Sequence, residues 1–160
     1  MEHTYIMASP IGDLELMAND EHILAVSFVA PSVPNAAPIS APTLGVLAQL
    51  KEELEAYFAG TLERFSVPLA PQGTVFQQEV WTVLKDIPYG ETMSYRELAQ
   101  AVGRPKGYQA VGQANGRNPI GILIPCHRVI NADGGLGGYA GGIERKAWLL
   151  RHELRKVSGF

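Results

Sequence analysis

The spacing of hydrophobic residues changes along this 160-residue chain, and the change limits which folds it can adopt. Near the N-terminus, residues 5–8, 13–18 and 23–29 form short β-compatible runs separated by turn residues. From Leu44 onwards, apolar residues recur every three or four positions, which is the period of an α-helix. The chain therefore combines strands and helices, which predicts an α/β (α+β) fold.

Breaks in the pattern suggest two domains. Four prolines fall within twelve residues and end the first run of strands: Pro31, Pro34, Pro38 and Pro42. A helix is then predicted over residues 44–58, with Gly60 as its stop, and residues 64–67 are compatible with one more strand. Residues 68–73 have the composition of a linker. We expect a small sheet domain over residues 1–71 and a mostly helical domain over 72–160.

Charge is divided unevenly between these halves. Residues 1–71 hold two basic and nine acidic residues, a net charge of −7, whereas residues 72–160 hold eleven basic and seven acidic residues, a net charge of +4. The net charge of the second half is compatible with binding a polyanion, whereas that of the first half is not. Charge alone leaves the function open.

Composition excludes several classes of protein. Hydrophobic residues make up 46% and charged residues 18%, which is globular rather than disordered. No apolar stretch approaches the ~20 residues of a membrane helix. No signal-peptide pattern opens the chain, so a cytoplasmic location is expected. The lone cysteine, Cys126, excludes an internal disulfide.

The second half contains a helix-turn-helix pattern. Thr74 with Gln77, and Ser94 with Glu97, have the spacing of capping boxes that begin helices. The second of these helices reaches about Val102, and residues 103–106 form a tight turn into a further helix over 107–115. That last helix is rich in glycine and alanine, which favours recognition of DNA shape over reading of base edges. Tight packing within the domain explains the same composition, and both interpretations stay open.

Cys126 has neighbours typical of a reactive thiol. It follows the apolar run 120–124 and Pro125, and it precedes His127 and Arg128, whose side chains favour a thiolate. A glycine-rich loop around Tyr139 comes next, and Glu153 on the final helix is a candidate to orient His127. A lone cysteine is also often an inert buried residue.

These residues resemble a known family. The segment Pro125-Cys126-His127-Arg128-Val129 resembles the active-site signature of the O6-alkylguanine-DNA alkyltransferases, also called methylated-DNA–protein-cysteine methyltransferases. Further matches occur in the same order: Phe76-Gln77-x-x-Val80-Trp81, Ile87-Pro88-Tyr89-Gly90, Ser94-Tyr95, Asn118-Pro119, Tyr139-Ala140-Gly141-Gly142 and Trp148-Leu149-Leu150-x-His152-Glu153. The resemblance is dense over residues 74–156, whereas residues 1–71 resemble the family only in length and pattern.

The resemblance implies both a fold and a reaction. The second domain would be winged-helix-like and would bind double-stranded DNA as a monomer. The damaged nucleotide would be flipped out, and Cys126 would take the alkyl group irreversibly from O6 of guanine, or from O4 of an alkylated thymine. Glu153 would polarise His127, which would remove the thiol proton through a water molecule. Tyr95 would donate a proton to the base, and Asn118 would brace the active-site turn.

Further site residues follow from the resemblance. Arg128 would form an internal ion pair. The substrate pocket would include Pro125, Tyr139, Ala140 and Gly141. The residues expected to contact DNA are Arg104, Lys106, Tyr108, Gln109, Ala110, Asn115 and Arg117.

Two features depart from the family pattern. An arginine usually fills the space of the flipped nucleotide, but Gln109 stands at that position, and Tyr108 beside it is the alternative filler. A zinc site of some relatives is not expected, since only His3 and His22 are available as ligands there. No cofactor is expected either. A cysteine hydrolase using Cys126 and a DNA-binding lesion sensor are the competing functions.

Overall fold

The computed structural model of the chain describes residues 2–29, 42 and 45–158. It divides the chain into two compact units, Met1–Pro71 and Gln72–Phe160. Of the clustered prolines, Pro31, Pro34 and Pro38 lie outside the described residues. Across the described part, we find no helix with both the length and the apolar character needed to cross a bilayer.

The first unit is built on an antiparallel three-stranded sheet. Its strands are β1 (His3–Met7), β2 (Leu14–Ala18) and β3 (Ile23–Phe28), in that spatial order. Alternate residues of β2 are buried, namely Leu14, Leu16 and Ala18, so one face of the central strand lies in a core. Helix α1 (Gly45–Ala59) contacts all three strands and contributes the buried side chains Leu47, Leu50, Leu54 and Tyr57.

The strand predicted over residues 64–67 is wrong. The Glu53 carboxylate on α1 accepts hydrogen bonds from the backbone nitrogen and the hydroxyl of Ser66, at 2.9 and 2.6 Å. These bonds hold this segment on the helix rather than in the sheet. The chain meets β3 only afterwards, at an isolated parallel bridge between Leu69 and Ile23.

The second unit is mostly helical. Thr74 and Ser94 cap α2 (Val75–Leu84) and α3 (Tyr95–Ala101), and both capping boxes are formed as predicted. Helix α4 (Tyr108–Gly116) packs against both of them. The indole nitrogen of Trp81 donates to Ala114 O at 2.8 Å and ties α2 to α4. Gly73 makes room for this indole, because a Cβ there would lie 2.4 Å from the Trp81 ring.

Helices α3 and α4 form the predicted helix-turn-helix. After α3, Gly103 N bonds to Gln100 O and Arg104 N bonds to Ala99 O, which is the Schellman pattern of a helix C-terminus. The motif requires a left-handed residue, and Gly103 supplies it with φ of +82°. The short turn therefore depends on a glycine.

The rest of the unit carries the cysteine. A single 3-10 turn spans Cys126–Arg128 and leads into β5 (Val129–Ile130), which pairs with β4 (Met93–Ser94). This pair is parallel, so residues 72–158 hold no antiparallel hairpin of the kind that forms a wing beside a helix-turn-helix. The chain then runs through the glycine-rich loop into α5 (Ile143–Ser158).

Candidate active site

Cys126 begins the 3-10 turn and is 6% exposed. The residues before it, 120–124, form a buried irregular turn rather than a strand. Burial raises the pKa of the Cys126 thiol, whereas a hydrogen bond from Asn118 and the charge of Lys146 lower it. The resting cysteine is therefore a buried, protonated thiol, which must lose its proton to a base before it can react.

The turn before Cys126 is strained and is braced by Asn118. Ile122 is buried and has φ of +70°, a conformation that costs a β-branched residue roughly 1–3 kcal/mol. The Asn118 side chain spans this turn: its Oδ1 accepts from Ile120 N at 3.0 Å, and its Nδ2 donates to Ile124 O at 2.6 Å. The geometry therefore agrees with the bracing role expected of Asn118.

Directly after Cys126, the side chains of His127 and Arg128 share one buried carboxylate. His127 Nε2 lies 2.7 Å from Glu153 Oε2. Arg128 Nε donates to Glu153 Oε1 at 2.7 Å, and its Nη2 donates to Oε2 at 3.0 Å. The remaining guanidinium nitrogen, Nη1, donates to Ile87 O at 2.7 Å. The buried charges are thus paired in a forked geometry, and the expected internal ion pair of Arg128 is formed with Glu153.

The protonation states follow from this arrangement. Burial acts to raise the pKa of Glu153, but His127 and Arg128 outweigh it and hold that pKa well below its usual range. Burial lowers the pKa of His127 against the attraction of the carboxylate. We therefore assign an ionised Glu153, balanced by Arg128, and a neutral His127 that donates from Nε2. His127 Nδ1 is then an acceptor; it is buried, and no described residue bonds to it.

Lys146 is a buried residue of the site that sequence reasoning missed. Its side chain is fully buried, and its ammonium group donates to Val129 O at 2.5 Å and to Gly138 O at 3.1 Å. These bonds join the segment after Cys126 to the glycine-rich loop. Burial lowers the pKa of Lys146 to about 8, against the attraction of Cys126. Its spacing in the sequence could have indicated that Lys146 is buried. Lys146, Leu149 and Glu153 lie three and four positions apart, on the buried face of α5.

Tyr95, at the start of α3, is held between several elements. The Lys146 ammonium lies 5.8 Å from the centre of its ring. A Cβ at Gly137 would approach the Tyr95 ring to 3.0 Å, so the glycine-rich loop passes close against it. Burial, and after it the charge of Cys126, raises the pKa of Tyr95. The phenol is therefore protonated at neutral pH and can act as a hydrogen-bond donor.

The expected pocket residues differ in exposure. Pro125 is buried behind Cys126, Tyr139 and Gly141 are partly buried, and Ala140 is exposed. Burial raises the pKa of Tyr139 well above its usual range, with the Cys126 charge acting in the same direction. Tyr139 is thus close enough to Cys126 to interact with it electrostatically.

Helix α4 presents an exposed face with little charge. Tyr108 is 59% exposed, and Gln109 and Ala110 beside it are exposed too. A cavity of about 620 Å³ opens beside this face. It is lined by Tyr95, Tyr108, Gln109, Gly112, Gln113, Asn131 and Gly138. Tyr95 therefore lines the same cavity as Tyr108 and Gln109, two of the residues expected to contact DNA.

The cationic residues expected to contact DNA flank α4. Arg104, Lys106 and Arg117 are all exposed at its two ends. The guanidinium of Arg104 lies 5.4 Å from the centre of the Phe76 ring, which positions the turn against α2. A cationic group therefore stands at each end of the exposed face.

Asn115 is a correction to the expected DNA-contacting set. It is 4% exposed and lies on the inner face of α4, close to Tyr95. Helical periodicity explains the difference, because Val111 and Ala114 on the same side are also buried. Asn115 is a neighbour of the candidate proton donor rather than a surface residue.

Both parts of the chain match known protein families. Residues 75–155 match the family described as 6-O-methylguanine DNA methyltransferase, DNA binding domain. Residues 1–71 match the family described as 6-O-methylguanine DNA methyltransferase, ribonuclease-like domain. The second match extends the resemblance to the first unit, where the sequence pattern alone was weak.

Individual relatives agree with these matches. The chain is 48% identical over 149 residues to a methylated-DNA–protein-cysteine methyltransferase of Methanosarcina acetivorans, covering 92% of this chain and 96% of that protein. It is 46% identical over 157 residues to the Mycobacterium leprae protein of the same name, covering 98% and 95%.

Solved structures resemble the whole chain. The crystal structure of the Mycobacterium tuberculosis O6-methylguanine methyltransferase has a TM-score of 0.84 at 44% identity, covering 98% of this chain and 94% of that one. A crystal structure of the Mycobacterium tuberculosis protein in complex with DNA has a TM-score of 0.86 at 43% identity, covering 96% and 94%.

Proposed function

The chain belongs to the 6-O-methylguanine DNA methyltransferase family and repairs O6-methylguanine in DNA, and we propose that Cys126 is the cysteine that takes up the methyl group. The observation that carries this assignment is the buried array around the only cysteine. Cys126 is followed in the same turn by His127, whose imidazole is bonded to an ionised Glu153. This is the order nucleophile, base and orienting carboxylate.

The array can activate the thiol. The Glu153 carboxylate accepts the Nε2–H of His127, which fixes the tautomer in which Nδ1 carries the lone pair. Nδ1 then receives the thiol proton, with a water molecule bridging the two groups. The ammonium group of Lys146 and the amide of Asn118 favour the thiolate that results. Activation therefore needs a proton transfer, because burial alone holds the cysteine in its neutral form.

The transfer step is a displacement at the methyl carbon. The Cys126 sulfur forms a bond to this carbon as the bond from the carbon to guanine O6 breaks. The electron pair of the broken bond stays on the base, which needs one proton to become guanine. The thiol has lost one proton, so the overall reaction is balanced without a further reactant. A thioether does not revert under these conditions, so each molecule acts once.

Tyr95 is the group we assign to the leaving base. Its phenol is protonated at neutral pH, and it lines the cavity beside α4. A hydrogen bond from Tyr95 to the departing base stabilises the negative charge that develops there. The proton taken up by His127 then restores Tyr95 through solvent.

DNA engages the helix-turn-helix in this proposal. Arg104, Lys106 and Arg117 contact phosphates, and α4 enters a groove with Ala110 close to the backbone. The damaged nucleotide turns out of the duplex towards Cys126, and Gln109 occupies the space it leaves, with Tyr108 as the alternative. Pro125, Tyr139, Ala140 and Gly141 form the wall of the pocket around the methyl group. Action as a monomer, a cytoplasmic location and reaction with O4-alkylthymine stay predictions.

One experiment separates this function from its competitors. The protein is incubated with an excess of duplex carrying a single O6-methylguanine, and the intact protein and its peptides are weighed. We expect one methyl group per molecule, located on Cys126, and none on a folded Cys126→Ser variant. Release of more than one product per molecule would support the hydrolase. Tight lesion binding without any gain in mass would support the sensor.

A further inference from the structure

Asn115, on the last turn of α4, carries a buried acceptor that the fold leaves unused. The residue is 4% exposed, and its Oδ1 has no hydrogen-bond partner among the described residues. A buried acceptor without a partner costs free energy, and most buried polar atoms in proteins are satisfied. His127 Nδ1 is in the same state, and the proposed reaction gives it the thiol proton. The unused oxygen of Asn115 therefore points to a bond that forms when substrate is present.

The position of Asn115 on α4 leads from the cavity into the interior of the unit. Tyr108, Gly112 and Asn115 are four and three residues apart, so they share one stripe along the helix. Tyr108 and Gly112 line the cavity, and a Cβ at Gly112 would lie 3.7 Å from the Tyr95 ring. Exposure falls along this stripe from 59% at Tyr108 to 4% at Asn115. Asn115 is therefore at the inner end of the stripe against which Tyr95 lies.

A backbone contact links Asn115 to the turn that carries the cysteine. Its carbonyl oxygen accepts a hydrogen bond from Asn118 N at 3.4 Å. The side chain of Asn118 in turn braces the segment that leads to Cys126. Asn115 is thus connected on one side to Tyr95 and on the other to the Cys126 turn, which are the two groups that a flipped base has to meet.

We propose that Asn115 is a specificity-determining residue whose Oδ1 accepts a hydrogen bond from the 2-amino group of the flipped guanine. O6-methylguanine carries no proton on N1, so the 2-amino group is the donor that remains on its pairing edge. Guanine is also the standard DNA purine that has an amino group at C2. Enzymes that flip a base read its pairing edge through such bonds. The inference rests on the proposed function, because it requires the base to be turned out towards Cys126.

A substrate that lacks this amino group tests the contact. O6-methylhypoxanthine is O6-methylguanine without the 2-amino group, and its methyl group and leaving oxygen are unchanged. The second-order rate constant of methyl transfer is measured for each lesion opposite cytosine in duplex, and for the two free bases, where no duplex has to open. Wild type should react roughly ten- to a hundredfold faster with O6-methylguanine, because the analogue leaves the buried oxygen unpaired.

Variants assign this preference to one side chain. Asn115→Leu removes the acceptor and keeps the size of the side chain, so the preference for O6-methylguanine should fall by about tenfold or more. Asn115→Ala is measured beside it, so that the test does not depend on one replacement. Gln113→Leu is the matched control, because it removes an exposed amide at the cavity from the same helix and should leave the preference unchanged. Urea unfolding should show Asn115→Leu to be at least as stable as wild type, since an unsatisfied atom is removed.

The outcomes separate this inference from the function on which it rests. Equal rates of wild type with the two lesions would overturn the inference without any variant. A preference that persists in both Asn115 variants would overturn it too, and would mean that the amide holds a water molecule or serves the fold. Failure of the proposed function would look different, since no methyl group would then appear on Cys126 with either lesion.

Discussion

The buried centre around Cys126 and the exposed face of α4 lie in the same unit but are built in opposite ways. Around Cys126, the side chains of His127, Arg128 and Glu153 have short bonds that fix their positions. On α4, Tyr108 and Gln109 are exposed. Displacement at carbon needs an aligned nucleophile before the substrate arrives, whereas a residue that enters a distorted duplex finds its contacts only in the complex.

This contrast has a measurable form. Changes in the buried centre should alter the rate on every substrate, and those that leave a buried charge unpaired should also lower the free energy of unfolding. Changes on the exposed face should leave stability alone and alter only the reaction with duplex DNA. Substitutions in the two regions test the contrast, with effects that range from large to small.

The largest effect is expected for Glu153→Gln. It removes the charge that balances buried Arg128, and breaking a buried pair in this way costs about 3–5 kcal/mol of unfolding free energy. It also removes the orientation of His127, so methyl transfer should fall by roughly a hundredfold or more. Urea unfolding and single-turnover transfer measure the two effects.

A paired substitution serves as its control. Glu153→Leu combined with Arg128→Met removes both charges, so much of the lost stability should return while transfer stays slow. A Glu153→Gln variant with wild-type rate and stability would contradict two statements. One is the role of Glu153 in orienting His127, and the other is the difference between the buried centre and the exposed face of α4.

Lys146→Met should separate rate from stability within the buried centre. Methionine keeps the length of the side chain, and relief of a buried charge offsets the two lost hydrogen bonds, so the unfolding free energy should change little. Transfer should slow by about tenfold, since a cation beside the thiolate and a tie to the glycine-rich loop are lost. Equal rates for Lys146→Met and wild type would remove Lys146 from the site.

The same lysine predicts a pH dependence of stability. Its pKa is lowered to about 8 in the folded chain, below the ordinary value of 10.5, so the unfolded state binds more protons between these two values. Unfolding free energy then rises with pH in this window. The difference in stability between wild type and Lys146→Met should therefore shift in favour of wild type as pH rises from about 8 towards 10. A constant difference would mean that Lys146 titrates normally.

Gly103→Ala tests the turn that presents α4. A Cβ at Gly103 meets nothing within 4 Å, so the only penalty is the left-handed backbone, about 1 kcal/mol. Duplex binding should weaken modestly with this loss of stability. Gly116→Ala is the matched control, because its Cβ is equally free and its φ is not left-handed. A penalty of the same size at Gly116 would remove the special role of the turn.

The smallest effect on the protein itself is expected for Gln109→Arg. If flipping limits the reaction, the added planar cation should raise the rate on duplex and leave the rate on free O6-methylguanine base unchanged. The log–log salt dependence of binding should steepen by up to about 0.9 if the new charge meets one phosphate. Greater slowing by Tyr108→Ala than by Gln109→Ala would identify Tyr108 as the filler. Equal duplex rates for all these variants would mean that neither residue fills the gap.

Sequence predicted those features that depend on neighbouring residues. The capping boxes at Thr74 and Ser94 were confirmed because a cap and its partner are three residues apart. The hypothesis that Cys126 is reactive also came from an adjacent residue, His127. The strand at 64–67 was wrong because Glu53, more than ten residues earlier, binds Ser66.

The remaining differences between the sequence predictions and the structure concern polar residues that are buried in the fold. Asn115 and Lys146 are polar, and polar residues are mostly exposed. The sequence analysis therefore placed Asn115 at the surface as a DNA contact and assigned no role to Lys146. In the fold, each lies against another element: Asn115 is close to Tyr95 on α3, and Lys146 donates to Val129 O and Gly138 O. Such pairs depend on how helices pack, and a single sequence does not record this.

The presence of just one cysteine, enclosed in the fold, has a practical consequence. In the proposed reaction, every repaired lesion removes one free thiol from the protein, and the sequence contains no other cysteine that would add to the count. A colorimetric thiol reagent added after unfolding therefore reports how many molecules have not yet been spent. Under the proposed single-turnover reaction, the amount of active protein falls by one molecule for each lesion repaired and is restored only by new synthesis, so the fraction of methylated protein records the number of lesions repaired.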